Sequence, residues 1–296
     1  MLITMKEMLN KAKEGKYGVA AANVWGDRSV KACFEAASKL RAPIIIAATS
    51  YVPMEEISRL VHHYAELYPA TPVALNLDHG ANYETAVRAV RAGFTSVMID
   101  KSKLPFDENV SAVQEVVKMA HAVGVSVEAE LGHVGQGAEY EETRDSGLTR
   151  KEEAVDFVEK TGVDCLAVAI GTSHGVYKGT PKIDLELLAD LNKLVSVPLV
   201  LHGGSGTGDE NLRNTVLTGI QKVNLSTDLS TAYLSAYDKF LKEQGDIVDE
   251  NSNVIYVGNR TALCNNAENA GAKGYEETLM HYIKLFGGEG KEDDFK

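Results

Sequence analysis

Cysteine is scarce in this sequence, and the three that occur, Cys33, Cys165 and Cys264, lie far apart. None belongs to a Cys-x-x-Cys pair, so the sequence indicates neither a disulfide framework nor a zinc site built from thiolates. This cysteine usage is typical of a reducing compartment, and we expect a cytoplasmic protein. Long apolar runs are missing too, because no segment approaches the roughly 20 apolar residues of a membrane span. The first 18 residues are too charged for the apolar core of a signal peptide.

Positive charge is also in short supply, with 30 Lys and Arg residues against 42 Asp and Glu residues and a formal net charge of -12. Such an acidic chain is unsuited to the phosphate backbone of a nucleic acid, which requires clustered basic side chains. A small anion remains compatible if a metal ion, a helix N-terminus or a few lysines supply local positive potential. We therefore expect a small-molecule ligand and neither a nucleic-acid nor a membrane partner.

What the sequence does contain is an alternation of short apolar, β-branched runs with helical patterns. The eight runs span residues 18–23, 43–49, 72–77, 94–99, 125–131, 164–170, 197–202 and 221–224. This alternation predicts a parallel sheet of βα units. An open doubly wound sheet normally carries a glycine fingerprint after its first strand, whereas this first run ends in Asn23-Val24-Trp25-Gly26. We therefore predict an α/β fold of the (β/α)8 TIM-barrel type.

We expect one domain over residues 1–287, with an N-terminal helix and a C-terminal helical extension, and an acidic tail over residues 288–296. Thr4 followed by Glu7 is a capping-box pattern, which predicts a helix ahead of the first strand. Thr149 followed by Glu152 predicts a second helix start of the same kind.

Polar and glycine-rich residues collect where the predicted strands end. Asn23, Thr49, Asp78, Asp100 and Glu130 each close or follow a run. In a barrel of parallel strands all these ends surround one mouth, which is where such folds carry their chemistry. This convergence predicts the location of the site.

Three histidines follow strand-like runs, and a glycine follows each of them: His79, His174 and His202. Any one of them alone is more often a capping or hydrogen-bonded histidine. Three neutral imidazoles that converge at strand ends can bind Zn²⁺ and leave a coordination position for substrate, and glycine lets a ligand approach the backbone closely. The other histidines are interpreted as surface residues, although His133 follows the fifth run near the predicted mouth.

Asp78, Asp100 and Glu130 are the acidic residues beside this predicted metal site. A carboxylate next to a metal-bound substrate can accept a hydroxyl proton, so Asp78 is predicted to be a general base. The alternative is that Asp78 orients a histidine ligand, as carboxylates commonly do. Glu130 is a candidate alternative or second-metal ligand, and Asp100 a candidate partner of a substrate hydroxyl or of a ligand side chain. A plain structural role is the alternative for both.

Two segments after the seventh and eighth runs have the composition of a phosphate site. They are Gly203-Gly204-Ser205-Gly206 and Asn224-Leu225-Ser226-Thr227, and both lead into helical patterns. Backbone N–H groups at helix starts after strands seven and eight form the usual phosphate site of a barrel. Lys178, four residues beyond His174, is a candidate source of positive charge.

At these positions the sequence resembles the class II, metal-dependent ketose-bisphosphate aldolases of the fructose- and tagatose-bisphosphate group. The motifs that carry the resemblance are, in order, Leu-Asp-His-Gly, Glu-Ala-Glu-Leu-Gly, Gly-Thr-Ser-His-Gly, His-Gly-Gly-Ser-Gly and Lys-Val-Asn-Leu-Ser-Thr. The resemblance runs from about residue 1 to residue 245 and resumes weakly at 275–287. It implies a homodimer or homotetramer that reversibly cleaves a phosphorylated ketose to dihydroxyacetone phosphate and an aldehyde.

For the reacting centre, the resemblance implies Zn²⁺ held by His79, His174 and His202. It implies that Asp78 accepts the C4 hydroxyl proton and that Glu130 can take a displaced metal. It also implies that a glutamate of the loop after strand five transfers a further proton, and the candidates in this chain are Glu139, Glu141 and Glu142.

For the substrate, the resemblance implies a site for the ketose 1-phosphate with a monovalent cation, Na⁺ or K⁺, nearby. The matching residues are Gly175, Lys178, Gly203, Ser205, Asn224 and Thr227. Thr49 matches a hydroxyl residue of the substrate pocket, and Asp100 matches a catalytic-site carboxylate.

The sequence departs from the family pattern in the residues around the distal half of the substrate. Asn76 stands where many relatives have histidine, and Lys101-Ser102-Lys103 where they have Gly-Ser-His. The usual basic segment is not recognisable between residues 245 and 274. The substrate therefore stays open among fructose 1,6-bisphosphate, tagatose 1,6-bisphosphate and another 1-phosphoketose with a non-standard distal group.

Three rival functions remain to be weighed. A Schiff-base aldolase needs a lysine at a strand end inside the barrel, but no predicted strand ends in lysine. A metal-dependent barrel hydrolase is favoured by paired histidines on strand one and an aspartate closing strand eight, where this chain has Asn23 and Asn224. A non-catalytic companion subunit need not keep a metal site, whereas all three histidines are present here.

Overall fold

Eight parallel strands close into a barrel. The structure is a computed structural model, and it describes residues 1–136, 147–175, 181–243, 251 and 260–296. The barrel strands are β1 Val19–Asn23, β2 Ile44–Thr49, β3 Val73–Gly80, β4 Ser96–Ile99, β5 Ser126–Leu131, β7 Cys165–Val168, β9 Leu199–Leu201 and β10 Ile220–Leu225. They pair in the order β1-β10-β9-β7-β5-β4-β3-β2, and β1 also pairs with β2, which closes the sheet. The predicted (β/α)8 TIM-barrel fold is confirmed.

Helices separate the strands and cover the outside of the barrel. They are α1 Met5–Gly15, α2 Asp27–Leu40, α3 Met54–Leu67, α4 Tyr83–Ala92, α5 Phe106–His121, α6 Lys151–Thr161, α7 Leu185–Leu194, α8 Asp209–Thr218, α9 Thr227–Glu243 and α10 Arg260–Leu285. In α5 the apolar residues at three- and four-residue steps, such as Val113 and Ala120, are the buried ones. None of the helices in the described ranges is long and apolar enough to cross a membrane.

Helix α1 closes the end of the barrel at which the strands begin. Its N-cap is Thr4, whose hydroxyl accepts the backbone N–H of Glu7, as the capping pattern predicts. The residues before it hydrogen-bond to Val73 at the start of β3. The face of the helix that packs into the barrel interior consists of Met5, Met8, Leu9 and Ala12. The opposite end, where the strands finish, forms the mouth.

Strand β3 continues past Leu77, where the apolar run ends, and takes in Asp78, His79 and Gly80. Its register with β4 shifts between Leu77 and Gly80, and His79 has a left-handed φ of 49°. A regular strand points successive side chains to opposite faces, whereas this bulge brings both Asp78 and His79 to the mouth. Glycine is required next, because a Cβ on Gly80 would lie 2.2 Å from the backbone oxygen of Met98.

The predicted capping box at Thr149 is wrong. Helix α6 begins after Arg150, and no side chain caps it. The buried Thr149 hydroxyl instead donates to the backbone oxygen of Leu131 (2.5 Å) and accepts the N–H of Ala169 (2.8 Å). The hydroxyl therefore satisfies two buried backbone groups at the ends of β5 and β7. These two hydrogen bonds are more favourable than the single one that a helix cap would provide.

A second, two-stranded parallel sheet lies at the mouth and was not predicted. It pairs β6 Gly135–Gln136 with β8 Ser173–His174. Strands of two residues are too short to show alternation in the sequence. Their pairing depends on where the barrel places two distant loops.

The end of the chain packs against the closed end of the barrel. A 3₁₀ helix, Lys291–Phe295, follows α10, and Phe295 is buried in the cluster around α1. Asp293 accepts two hydrogen bonds from the Arg41 guanidinium, at 2.6 and 2.7 Å.

We expect Leu9→Ala to lower the free energy of unfolding by about 2–5 kcal/mol, because it leaves a cavity in the barrel floor. Leu9 is fully buried. Urea denaturation followed by circular dichroism measures the change. Asn10→Ala, on the exposed side of the same helix, is the control and should change stability by less than about 0.5 kcal/mol. Equal losses in both variants would contradict this role for α1.

Candidate metal centre and phosphate pocket

The three predicted histidines meet at the mouth of the barrel. His79 lies in the β3 bulge, His174 in β8, and His202 directly after β9. The ring centroids of His79 and His202 are 4.6 Å apart, those of His79 and His174 4.9 Å, and those of His174 and His202 5.8 Å. One nitrogen from each ring lies within 4.8 Å of the other two. A single ion can therefore reach all three rings.

Carboxylates fix the tautomers of two of these rings. Nδ1 of His79 lies 2.9 Å from Oδ2 of Asp100, and Nε2 of His202 lies 2.8 Å from Oε1 of Glu128. An ionised carboxylate only accepts hydrogen bonds, so these two ring nitrogens carry the hydrogens. In the neutral rings the lone pairs are then on Nε2 of His79 and Nδ1 of His202.

Those two lone-pair nitrogens lie 2.9 Å apart. Two lone pairs at this distance repel unless a proton or a metal ion is shared between them. His174 supplies a third nitrogen, because its Nε2 is buried and has no hydrogen-bond partner among the residues that the structure describes. Leaving such a nitrogen unsatisfied costs about 1–3 kcal/mol. An ion bound by the three nitrogens removes both penalties, so the donor set fits a divalent metal such as Zn²⁺.

The pKa values of the metal-free rings agree with this account. Burial lowers the pKa of His79, but the charge of Asp78 and the hydrogen bond to Asp100 outweigh it and raise the pKa to about 9. Burial and the charges of the neighbouring rings lower the pKa of His174 to about 4 and also lower the pKa of His202. Without a metal, a proton on His79 therefore satisfies the contact with His202.

Asp78 lies beside the histidines and accepts hydrogen bonds from two asparagines. Asn23 Nδ2 donates to Oδ2, and Asn224 Nδ2 donates to Oδ1, each over 2.9 Å. Burial raises the pKa of Asp78, but the interactions with His79, His202 and Lys222 and the hydrogen bond from Asn23 outweigh it and hold the pKa well below its usual value. The carboxylate is therefore ionised, and it lines the cavity at the mouth.

Asp100 and Glu130 lie on the other side of His79. Besides His79, Asp100 accepts both the N–H and the hydroxyl of Ser102. Glu130 Oε1 accepts the N–H of Val134 over 3.1 Å, and its Oε2 is buried without a hydrogen-bond partner in the described ranges. Burial and the charge of Asp100 raise the pKa of Glu130 to about 8. His79, Asp100 and Glu130 form a second group whose ligand atoms lie within 4.8 Å of one another.

Two buried charged residues beneath His202 were not predicted. Glu128 in β5 and Lys222 in β10 are both 0% exposed, and Lys222 Nζ lies 2.6 Å from Glu128 Oε2. A signal for Glu128 was present, because the period of two places Glu128 and Glu130 on the same side of their strand. Lys222 likewise interrupts the eighth apolar run.

A cavity of about 210 Å³ lies in front of this cluster. Its lining residues are Asn23, Thr49, Asp78, His79, His174, Gly175, Gly203, Gly204, Ser205, Asn224, Ser226 and Thr227. The structure thus brings together most of the residues that the sequence singled out, while His202 is fully buried behind them. The predicted Lys178, Glu139, Glu141 and Glu142 lie outside the described residues.

The loops after β9 and β10 are joined at one side of the cavity. Ser205 Oγ accepts the backbone N–H groups of Ser226 (3.2 Å) and Asp228 (3.1 Å), which leaves its own hydrogen available to donate. Gly204 N–H donates to the backbone oxygen of Asn224 over 3.2 Å. Helix α9 begins at Thr227, beside the cavity. Hydroxyl groups and a helix N-terminus are the groups that bind a phosphate.

We expect Gly203→Ala to weaken divalent-metal binding by roughly 10-fold or more, because metal sites are sensitive to the shell that holds their ligands. Gly203 has a φ of 67°, and a Cβ there would lie 2.4 Å from the backbone oxygen of Ser173. The clash displaces Ser173 and with it His174. Calorimetric titration of the metal-free protein measures the affinity.

Gly208→Ala is the matched control for this substitution. Gly208 also has a left-handed φ, 87°, but nothing lies within 4 Å of an added Cβ. This variant carries the same backbone strain without the clash, so it should keep the affinity of the original protein. Equal weakening of metal binding in both variants would show that backbone strain, and not the clash with Ser173, lowers the affinity.

This chain is similar to known proteins over nearly its whole length. The family model described as fructose-bisphosphate aldolase class-II matches residues 3–291. The YdjI aldolase from Escherichia coli K12 is 32% identical, with 98% of this chain and 99% of that chain covered and a TM-score of 0.83. A putative fructose-1,6-biphosphate aldolase from Coccidioides immitis is 28% identical, with 97% of each chain covered and a TM-score of 0.76. The fructose-bisphosphate aldolase from Campylobacter jejuni, at 23% identity over 98% of this chain and 97% of that chain, shares the fold with a TM-score of 0.80. This chain belongs to the class II fructose-bisphosphate aldolase family.

Proposed function

We propose that this protein is a zinc-dependent aldolase that reversibly cleaves a phosphorylated ketose to dihydroxyacetone phosphate and an aldehyde. The observation that carries the proposal is the convergence of three imidazole nitrogens beside the ionised Asp78, at a cavity with phosphate-type loops on one side. Membership of an aldolase family agrees with a carbon-carbon lyase.

A divalent ion held by His79, His174 and His202 would act as a Lewis acid on the ketose carbonyl and its neighbouring hydroxyl. Asp78 removes the C4 hydroxyl proton, and the C4 oxygen becomes the carbonyl of the aldehyde as the C3–C4 bond breaks. The bonding pair moves toward the C2 carbonyl oxygen, and a proton added at C3 completes dihydroxyacetone phosphate. The carboxylate suits this role because it is ionised and because each oxygen keeps a lone pair after accepting one asparagine N–H. Asp100 orients the His79 ring by accepting its Nδ1–H and does not contact the substrate. Glu130 is the carboxylate to which a displaced ion can move.

The 1-phosphate binds between the loops after β9 and β10. Ser205 offers a hydroxyl, Gly203 lines the same side of the cavity, and Ser226 and Thr227 stand at the start of α9, where the helix dipole favours an anion. Other predicted contacts of the substrate that line the cavity are Thr49, Gly175 and Asn224. A monovalent cation, Na⁺ or K⁺, near the phosphate stays a prediction, as do a homodimeric or homotetrameric state and a cytoplasmic location.

The roles of Lys178 and of the loop glutamates Glu139, Glu141 and Glu142 rest on the sequence alone. For the distal half of the substrate, the replacement of Gly-Ser-His by Lys101-Ser102-Lys103 favours a 1-phosphoketose with a non-standard distal group. A metal-dependent hydrolase is not supported, because asparagines, Asn23 and Asn224, stand at the strand ends where it would carry histidines and an aspartate, and both donate their amide N–H groups to Asp78.

A panel of ketose phosphates tests the reaction. We expect release of dihydroxyacetone phosphate, measured with a coupled dehydrogenase, from at least one 1-phosphoketose, and loss of this activity with a chelator. The panel contains fructose 1,6-bisphosphate, tagatose 1,6-bisphosphate and 1-phosphoketoses with other distal groups. Activity that resists chelators and is abolished by borohydride with substrate would show Schiff-base chemistry instead.

Two substitutions separate metal binding from proton removal. His202→Ala should remove both zinc and turnover, because it deletes one of the ligands. Asp78→Ala should keep stoichiometric zinc and lower kcat by roughly 100- to 10,000-fold, the range for a lost general base. Zinc content by atomic absorption and steady-state rates give the two readouts. Full activity in Asp78→Ala would disprove the assigned base.

A further inference from the structure

We propose that Glu128, anchored by Lys222, is a positioning residue that holds His202 in the tautomer whose Nδ1 lone pair faces the metal site. The inference rests on the proposed metal binding by His202 and concerns residues that do not touch the substrate cavity. Its starting point is a chain of short contacts: His202 Nε2 lies 2.8 Å from Glu128 Oε1, and Lys222 Nζ lies 2.6 Å from Glu128 Oε2.

This series of contacting side chains crosses the interior of the barrel. Glu128 is in β5 and Lys222 is in β10, and these strands are not neighbours in the sheet. All three side chains, those of Glu128, Lys222 and His202, are 0% exposed. Water therefore does not compete for the imidazole N–H, and the Glu128 carboxylate favours a hydrogen on Nε2.

Stability does not explain this ion pair. Removing two charges from water costs more than their attraction commonly returns, and apolar residues of similar volume are often as stabilising or more so. The barrel interior uses small apolar residues at comparable positions elsewhere, such as Ala74 and Ala167. A carboxylate under His202 provides what an apolar residue cannot, namely an acceptor for Nε2–H.

Lys222 explains how this carboxylate fits beside a cation site. Its ammonium neutralises Glu128, so the pair adds no net charge beneath the histidines. Asp78 then lies beside the histidines and Asp100 behind His79, and their two negative charges match one divalent cation. Lys222 also occupies Oε2, which turns Oε1 toward His202.

Two double variants isolate the hydrogen bond from the charges. Glu128→Gln/Lys222→Met and Glu128→Leu/Lys222→Met both remove the buried ion pair, but only glutamine keeps an oxygen that accepts Nε2–H. We expect the glutamine variant to bind Zn²⁺ with nearly the original affinity. The leucine variant should bind about 10- to 100-fold more weakly, the usual loss when a partner behind a ligand is removed.

Ser126→Ala is the control for disturbance of the barrel interior. Ser126 lies two residues before Glu128 in β5, and its hydroxyl contacts that of Ser96 over 2.7 Å. This substitution should lower the melting temperature of the metal-free protein without changing Zn²⁺ affinity. If Zn²⁺ affinity falls equally in the glutamine and leucine variants, or follows the melting temperature across all variants, Glu128 is only structural.

A measurement on the unsubstituted, metal-free protein completes the test. Nitrogen-15 NMR of labelled histidine distinguishes a protonated Nε2 from a protonated Nδ1, with His202→Ala used to assign the signal. We expect hydrogen on Nε2 of His202, and hydrogen on Nδ1 would overturn the inference even if the leucine variant does not fold. Failure of the unsubstituted protein to bind Zn²⁺ would instead overturn the proposed function, while the NMR result still reports on the tautomer.

Discussion

The site depends on two imidazole lone pairs that face each other across 2.9 Å, on Nε2 of His79 and Nδ1 of His202. Neither ring can relieve the repulsion by exchanging tautomers, because Asp100 holds the hydrogen of one and Glu128 that of the other. Only a shared positive charge, a proton or a metal ion, makes the arrangement favourable. The surrounding carboxylates supply the negative potential that retains it, in a chain whose overall charge is also negative.

The backbone of β3 makes this arrangement possible. Asp78 and His79 are adjacent, so a regular strand would send one of them away from the mouth. The bulge and the left-handed φ of His79 bring both to the same side, and Gly80 lets β3 approach β4 closely afterwards. The conformational cost of a non-glycine residue in this region, of order 1–3 kcal/mol, is offset by the surrounding sheet. Asp78 and His79 are therefore fixed together at the mouth by one local distortion.

The sequence was sufficient to predict the barrel and the convergence of the three histidines at its mouth, because strand alternation and residues at strand ends are local signals. It was insufficient to predict the roles of Glu128 and Lys222, because these two residues contact each other between strands that are far apart in the sequence and not adjacent in the barrel. The predicted helix cap at Thr149 was wrong for a related reason, because its hydroxyl hydrogen-bonds to backbone groups at the ends of two strands and not to its own helix. Charged residues at inward positions of barrel strands are the pattern that would have identified the buried pair.

Helix α10 connects the two halves of the site. Tyr275 donates to the backbone oxygen of Asn23 over 2.9 Å, and the amide of Asn23 in turn holds Asp78. Tyr282 donates to Asp228 over 2.5 Å, and the same Asp228 oxygen accepts the N–H of Gly206 in the phosphate-type loop. One helix thus contacts both the strand end that holds Asp78 and, through Asp228, the phosphate-type loop after β9. Because side chains on one helix keep fixed spacing, this extension ties the position of Asn23, which holds Asp78, to that of Asp228, which holds Gly206.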